Sequence, residues 1–466
     1  MAIDEFSIPS AVSKKLKELG YTIPSSMASH IQKWLDLYTG ADSFYSLSYI
    51  SAVSKKKKSR KRFSLRPARK VCREWASLIL NEDTEISVDD PAANEWLRDY
   101  LDRSKFWAIG QTLIEKAFAL GTAAWALWFK VNDGAVTDIK IRRYDARMVV
   151  PISWDDDGVS ECAFVTRVTI KGKAYNQLQV HAIEDGTYHI KTYLFDGEEE
   201  VATEDMGFLP DFDTEQSHKT FGIVKPGLDN VVADLSPYGI SVFYDAIDAI
   251  KAVDLSWDSI YQEIDIAAIR VFMSEEMIDI NDDNGKPIPV PDTDDKVFRL
   301  VAGSSANKMI DVFAPNIRID QLKEGLNIAL AELGDNCGFG EQYFQIGKTG
   351  GLKTATEVVS DNSVLMRSIK KHENSVGSAI KDVITGLISC AAIKGYAEGV
   401  PAEFGAVDVK FDDSIITDTQ SEKNLMLAEI SAGVVPKWKY AERFYGMSEE
   451  EAKTWAAEEE VIDIGF

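Results

Sequence analysis

Residues 350–363 read GGLKTATEVVSDNS, a glycine-rich end of a loop followed by the start of a helix. The four residues from Thr354 to Glu357 match the S/T-x-x-E capping box. In that box the Thr354 hydroxyl accepts from the Glu357 N–H and the Glu357 carboxylate reaches back. Apolar residues then recur at helical spacing to about residue 394. The sequence therefore predicts a glycine-rich loop over 340–353 and a long helix from Thr354 to about Lys394, which Gly377 and Gly386 could allow to bend.

Upstream of this loop, a single long helix is predicted over 237–272. Ser236 is a capping residue and Pro237 occupies the first helical position, where its missing N–H costs nothing. The apolar steps then alternate between three and four, and the helix would be about 54 Å long. A compact insertion over 273–315 and a second helix over 318–339 follow. The acids predicted to form an anionic face on the first helix are Asp245, Asp248, Asp254 and Asp258.

The N-terminal half is predicted to combine helices with an antiparallel sheet. Helical spacing recurs up to Gly121, after which strand formers take over. Asp-Gly pairs, which favour hairpin turns, recur through residues 122–209 and predict an antiparallel β-rich lobe. Within the first half, helical periods are found at 9–19, 26–38 and 71–80, and one hairpin is predicted from residues 178–183 and 188–195. Near the C-terminus, a strand is predicted at 407–411 and helices at 419–432 and 437–445. The fold class is therefore α+β.

The net charge of −24 argues against a protein that grips duplex DNA over its whole surface, because such a field repels a polyanion. One stretch, 55–73, is strongly basic and has no acid. It is open to two interpretations, a nucleic-acid or nuclear-localisation patch and a solvated flexible face. The residues of this basic patch are Lys55, Lys56, Lys57, Lys58, Arg60, Lys61 and Arg62.

No catalytic or metal-binding constellation can be defended, so no enzyme, metal or cofactor is predicted. The Gly-Lys-Thr at 347–349 lacks the earlier glycine of a phosphate-binding loop, where Gln342 stands instead. Among five scattered histidines, only His181 and His189 could be brought together by a hairpin. The four cysteines are far apart and predict buried free thiols. The longest apolar run, 117–129, is too short to span a membrane.

The order of long helix, insertion, second helix, glycine-rich loop and capped helix resembles the portal proteins of tailed bacteriophages, in their siphophage-type branch. The segments that carry the resemblance are 350–363, NIRIDQL at 316–322, KVCREWASLILNE at 70–82 and PYGISVF at 237–243. The resemblance covers most of the chain, from about residue 66 to about residue 425.

The resemblance implies a ring of about twelve copies at one capsid vertex, through which double-stranded DNA enters and leaves. It implies contacts with the terminase large subunit, the major capsid and scaffold proteins and a head-completion or adaptor protein, in the virion and, during assembly, in the host cytoplasm, with no membrane. The implied domains are a mixed α/β wing (1–235), a two-helix stem (236–272 and 316–339), a clip (273–315), a tunnel loop (340–353), a tunnel helix (354–396) and a helical crown with an acidic tail (397–466).

The same resemblance implies roles for particular residues. Lys348 and Lys353 would make transient phosphate contacts as a valve, although an ordinary exposed loop explains them equally well. The basic patch would lie on the outer wing, against capsid, scaffold or packaged DNA. The DNA-facing tunnel loop would contain Gln345, Gly347, Lys348, Thr349, Gly350, Gly351 and Lys353, and the tunnel helix would start with Thr354, Thr356 and Glu357.

Two other classes of protein compete with this interpretation. A packaging NTPase or nuclease would need a complete phosphate loop or clustered metal-binding carboxylates, and the sequence has neither. A nuclear scaffold protein is suggested only by the basic patch. It would be a monomer or dimer, whereas a portal would form rings.

Overall fold

The protein is a mixed α/β fold that divides into two compact units. One unit contains Met1–Ile31, Cys72–Ser241 and Thr349–Phe466, and the other contains Gln32–Val71 and Val242–Lys348. The computed structural model describes residues 8–24, 26–50, 56–81, 83–132, 135–203, 206, 208–267, 270–273, 297–299, 310–347, 355–412 and 419–460.

The first unit is built on two antiparallel sheets, as the sequence predicts for residues 122–209. The larger sheet has the order β10-β9-β8-β7-β6, with β11 also paired to β9, and the smaller has the order β12-β4-β5. The strands are β4 (Ala123–Asn132), β5 (Ala135–Asp145), β6 (Val149–Asp155), β7 (Gly158–Ile170), β8 (Lys173–Glu184), β9 (Thr187–Asp196), β10 (Glu199–Val201), β11 (Asp211–Asp213) and β12 (Phe221–Val224).

The hairpin of β8 and β9 confirms the role of the Asp-Gly pairs. Asp185 and Gly186, which join the two strands, have φ angles of 48° and 89°. This is the left-handed backbone that a tight hairpin turn requires and that Asp-Gly tolerates. Asp156 and Asp157 join β6 to β7, and Gly158, the first residue of β7, has a φ of 107°, so the acidic residues 155–157 lie at a turn.

Helices pack around these sheets. Residues 355–393 form one helix of 39 residues, whose buried residues include Ile380, Ile384 and Leu387. It packs on β12 and β4. The helices of this unit are α1 (Ser10–Glu18), α4 (Pro91–Ser104), α5 (Phe106–Leu120), α8 (Ala355–Ile393), α9 (Thr419–Ser431), α10 (Trp438–Tyr445) and α11 (Glu449–Glu460), and α2 (Ala28–Thr39) and α3 (Pro67–Ile79) each pass from one unit to the other.

The two glycines of α8, Gly377 and Gly386, allow neighbouring chain to pack closely against the helix, and the backbone is helical at both. A Cβ on Gly386 would lie 2.1 Å from the Lys219 carbonyl oxygen, and one on Gly377 would lie 3.1 Å from the Phe411 ring. Neighbouring chain therefore occupies the space that a side chain would need. Close contact explains both glycines, and a bend of α8 at either one stays a prediction.

A short sheet joins distant parts of the first unit. β16 (Val407–Lys410) lies at the predicted C-terminal strand and pairs antiparallel with β3 (Glu85–Val88). The predictions for α9 and α10 are confirmed to within two residues at each end. The acidic stretch after them is the helix α11.

The second unit contains the helix pair α6 (Ile247–Ile266) and α7 (Ile319–Asn336), which pack on each other. A two-stranded hairpin, β1 (Ser46–Ile50) and β2 (Lys57–Lys61), accompanies them, as does a sheet of order β14-β13-β15. The strands of that sheet are β13 (Arg270–Met273), β14 (Val297–Arg299) and β15 (Ile310–Phe313). The rest of the predicted clip lies outside the described residues.

The predicted helix over 237–272 is wrong at both ends, because α6 begins at Ile247 and ends at Ile266. The segment before it is buried but irregular, and its backbone groups have partners from other elements. The Gly239 N–H donates to the Thr122 hydroxyl (3.0 Å), and the Asn230 amide donates to the Tyr238 carbonyl (2.7 Å). Because this segment is buried, many of its residues are apolar. Their spacing matched the helical period of α6, so the sequence predicted one continuous helix.

Residues 32–71, which fall within the predicted wing over 1–235, belong to the same compact unit as α6 and α7. Polar contacts tie this segment to α6.

Candidate functional site

Asp254 on α6 is buried and accepts three hydrogen bonds from the segment that follows helix α2. The Tyr45 hydroxyl (2.9 Å) and the Ser64 hydroxyl (2.7 Å) donate to its carboxylate, as does the Leu65 N–H (2.7 Å). Burial raises the pKa of Asp254 above its ordinary value, and these donors only partly oppose the shift. Asp254 thus ties residues 45–65 to α6.

Asp258 lies one turn further along α6 on the same face. Both terminal nitrogens of the Arg60 guanidinium, Nη1 and Nη2, donate to its carboxylate, at 2.8 and 2.7 Å, and the Phe63 N–H donates at 3.1 Å. The hydrogen bonds from Arg60 lower the pKa of Asp258. A bidentate arginine–carboxylate pair fixes orientation as well as distance, so strand β2 is held on α6 in one register.

The prediction of one exposed acidic face on this helix is therefore wrong for two of its four residues. Asp254 and Asp258 are 0% and 1% exposed, whereas Asp245 and Asp248 are exposed. The i, i+4 spacing does put Asp254 and Asp258 on one face, but residues 45–65 cover it. The signal that the sequence analysis missed is Arg60 together with the hydroxyl residues near it. These residues donate hydrogen bonds to Asp254 and Asp258 and so allow both acids to be buried. That Asp245 and Asp248 line a channel stays a prediction.

The basic patch forms an ordered hairpin. Lys57, Lys58 and Lys61 are exposed on β2, and Arg60 is bound to Asp258. The Arg62 guanidinium lies over the Phe44 ring, 4.1 Å from its centroid. Residues 57–61 are therefore a strand paired with β1, and its three lysines face solvent. Lys55 lies outside the described residues, and contact of this patch with capsid, scaffold or packaged DNA stays a prediction.

The first part of the predicted tunnel loop folds back on α7. The Asn327 side chain accepts from the Ile346 N–H (2.9 Å) and donates to the Ile346 carbonyl (3.2 Å). Phe339 and Phe344 pack ring against ring, with centroids 5.0 Å apart. The chain is therefore anchored as far as Ile346, and Gly347 follows with a φ of 76°.

The remaining predicted loop residues, Lys348, Thr349, Gly350, Gly351 and Lys353, lie outside the described residues, as does Thr354. Thr356 and Glu357 belong to α8, whose first residue follows the predicted cap directly. The hydrogen bonds of the capping box involve side chains outside the description. The helix start is confirmed, and the cap itself stays a prediction.

An acidic groove on α7 was missed by the sequence analysis. It has a volume of about 310 Å³ and combines one exposed stripe of α7 with the turn after it. Four carboxylates line it, and the exposed Ile328 lies among them. The residues of this acidic groove are Glu324, Asn327, Ile328, Ala331, Glu332, Asp335, Glu341 and Gln345. Helical spacing within residues 324–335 could have revealed that these side chains share one exposed face of α7. That Glu341 and Gln345 also line the groove depends on how the turn after α7 folds back, which local sequence does not show.

The buried histidines are structural. His181 is bonded to Thr220 (2.7 Å), and His372 accepts from the Gly227 N–H (2.9 Å) between the rings of Trp75 and Phe118. Burial lowers the pKa of each to about 3, so both are neutral at physiological pH. The strand register places His181 opposite Ile190 and His189 opposite Ala182, so the two histidines point to opposite faces of the sheet.

His189 has a different environment. It lies with Glu184 and Asp211 so that one ligand atom from each falls within 4.8 Å of the others, a spacing that a metal ion could use. Both carboxylates are exposed, and Lys191 forms an ion pair with Glu184. The positive charge of Lys191 opposes a cation at that place.

The prediction of buried thiols is confirmed, since Cys72, Cys162, Cys337 and Cys390, all in the described part of the chain, are buried and form no disulfide. Among the described residues, one helix has the length and composition of a membrane span, Ser363–Ile393, with mean hydropathy 1.5 in its most apolar window. Two thirds of that window is buried inside the protein (67%), as expected of a core helix.

Comparison with known proteins agrees with the resemblance in the sequence. The chain matches the phage portal protein family described as SPP1 Gp6-like over residues 25–464, nearly its whole length. The protein therefore belongs to the phage portal protein family, whose members have a structural role at the capsid vertex. Among curated proteins, none matches the chain significantly. One similar solved structure is the neck of a native GTA particle computed with C12 symmetry, with 12% identity, a TM-score of 0.38, and coverage of 84% of this chain and 89% of that one.

Proposed function

We propose that the protein forms a closed ring of about twelve copies at the unique capsid vertex and conducts double-stranded DNA during packaging and ejection. The observation that carries this proposal is the family match over residues 25–464. The net charge of −24 supports it, because a conduit must let a polyanion slide. Each phosphate that a wall neutralised would add salt-dependent affinity, and several together would hold the DNA in place.

Within this proposal, α6 and α7 are the stem, and β13, β14 and β15 belong to the clip that meets the terminase motor and later the head-completion protein. The loop after α7 and helix α8 are the tunnel loop and tunnel helix. The sheets of the first unit are the main part of the wing, and α9, α10 and α11 are the crown. Support for the stem is the direct packing of two helices of 20 and 18 residues, with lengths of about 30 and 27 Å.

The competing NTPase interpretation gains no support from the described residues around Gly347. A phosphate-binding loop connects a buried strand to a helix. Here the preceding element is helix α7, followed by a turn that packs against it. The role we propose is therefore passive, with terminase supplying the energy for DNA movement.

Ring formation is the direct test. We expect purified protein to form closed annuli in electron micrographs, with a mass of many subunits by light scattering, and to hydrolyse no ATP. A free ring could differ in copy number from the one in a capsid, so closure is the criterion. Protein that stays small at every concentration, or that turns over nucleotide alone, would contradict the proposal.

Replacing Lys348 and Lys353 together by glutamate should impair packaging or retention of DNA and leave ring assembly intact. The reason is that the change removes two cations from the glycine-flanked part of the loop and adds repulsion to phosphate. Packaged genome length is the measurement. The control is Lys17→Glu with Lys171→Glu, the same charge change at exposed positions of the first unit. An unchanged genome length in the loop variant would exclude a valve role for these lysines.

A further inference from the structure

The hairpin of β1 and β2, called here the basic hairpin, presents cations and apolar side chains together. Lys57 and Lys58 lie opposite Ile50 and Tyr49 in the strand register. Ile50 is 72% exposed and Tyr49 is 52% exposed, and the lysines are exposed as well. Cross-strand partners point to the same face, so each face of the hairpin end carries one lysine and one large apolar residue. Contact with another protein would remove these two apolar side chains from water, which is favourable.

The acidic groove has the opposite charge and a similar mixture. Glu324, Ile328 and Asp335 follow one another along the exposed stripe of α7, and Ile328 is 63% exposed. Glu332 and Glu341 add two further carboxylates. Gln345 also lines the groove, and its side-chain amide donates to the Glu341 carbonyl (2.9 Å).

The two patches are built on different parts of the second unit. The basic hairpin is attached to α6 through Arg60 and Asp258, and the groove is formed by α7 and its following turn. In the part of the chain that the structure describes, no ion pair joins Lys57, Lys58 or Lys61 to a carboxylate of the groove. Both patches are therefore available to another molecule.

We propose that the basic hairpin of one protomer docks in the acidic groove of the next. A cyclic ring needs a head-to-tail interface, in which two different patches of one chain are complementary. The two patches have opposite charge, and each places exposed apolar side chains beside its charges, so burial and electrostatic attraction act together. The inference rests on the proposed ring and specifies which surfaces close it. DNA could use the lysines but could not approach the carboxylates or gain from Ile328.

A charge-swap experiment on the full chain tests this proposal. The hairpin variant is K57E/K58E/K61E, and the groove variant is E324K/E332K/E341K. Each alone should raise the protein concentration for half-maximal ring formation by about 10- to 100-fold, because like charges then face each other. The two sets combined should restore rings, since the charges are again complementary. Ring formation is measured by mass photometry and negative-stain microscopy.

The control is K17E/K171E, which changes exposed lysines of the first unit and should leave ring formation unchanged. Far-ultraviolet circular dichroism checks that each variant is folded, and restoration by the combined variant excludes a simple folding defect. Rings that form normally in both single sets, or that fail to return in the combined set, would overturn the inference. So would a hairpin variant with normal rings and altered DNA retention, which would assign the lysines to DNA. If the unmodified protein forms no rings, the proposed function fails first.

Discussion

Replacing Gly386 by alanine should destabilise the first unit by about 2 kcal/mol or more, although alanine is the better helix former. The added Cβ would lie 2.1 Å from the Lys219 carbonyl oxygen and 3.5 Å from the Thr220 Cα. Both are backbone atoms, so relief requires that α8 and the chain before β12 move apart. Overpacking costs about 1–3 kcal/mol, and more where the contact is severe, so a cost of about 3 kcal/mol or more here, less a helix gain of about 1 kcal/mol, leaves a net loss of about 2 kcal/mol or more. The shift in urea midpoint, followed by circular dichroism, is the measurement.

Gly325→Ala is the matched control, because Gly325 is also a helix-interior glycine but a Cβ there meets nothing within 4 Å. It should stabilise the protein by about 0.5–1 kcal/mol through helix propensity alone. The comparison separates two roles for Gly386. If that glycine served mainly to let the helix bend, alanine would stabilise both helices alike, and this result would contradict the packing explanation.

Replacing Asp254 by alanine should destabilise the second unit by about 2–4 kcal/mol. The change leaves the Tyr45 hydroxyl, the Ser64 hydroxyl and the Leu65 N–H without their acceptor in a buried place. Each unsatisfied buried group costs about 1–3 kcal/mol, partly offset because the desolvated carboxylate is removed. The unfolding midpoint of the protein in urea is again the measurement, together with the protein concentration required for rings.

Asp248→Ala is the control for this prediction, since Asp248 is an exposed acid in the first turn of the same helix. Its effect should stay within about 0.5 kcal/mol. Asp254→Asn, which keeps an acceptor oxygen, should lose less stability than Asp254→Ala. Equal and small effects of Asp254→Ala and Asp248→Ala would mean that the acid does not tie residues 45–65 to α6.

Local sequence predicted those elements whose signals lie within the element itself. The start of α8 follows from the glycines and the capping pattern near Thr354, and the turn at Asp185 and Gly186 follows from the backbone that this pair tolerates. Helices α9 and α10 were predicted in the same way, by apolar spacing and bounding residues. These features depend on propensities and periods over a few residues.

Predictions failed where a partner distant in sequence decided the outcome. The pairing of β3 with β16 joins Val88 to Val407, and nothing near either strand indicates the other. The helix predicted from residue 237 was lost because other elements supply its backbone partners. The acids on α6 show the same effect, since Asp254 and Asp258 share a face by helical spacing but the donors that bury them come from residues 45–65.

By itself, the sequence determined the α+β class, the helix–loop–helix order of the second half and the acidic charge that suits a conduit for DNA. These follow from composition and from apolar periods that each element carries within its own residues. Only the tertiary structure decided which acids are exposed, where α6 begins, and that carboxylates of α7 and of the turn after it line one groove. The physical reason is that burial and charge pairing depend on which segments meet in space, and a chain can bring together residues separated by any length of sequence.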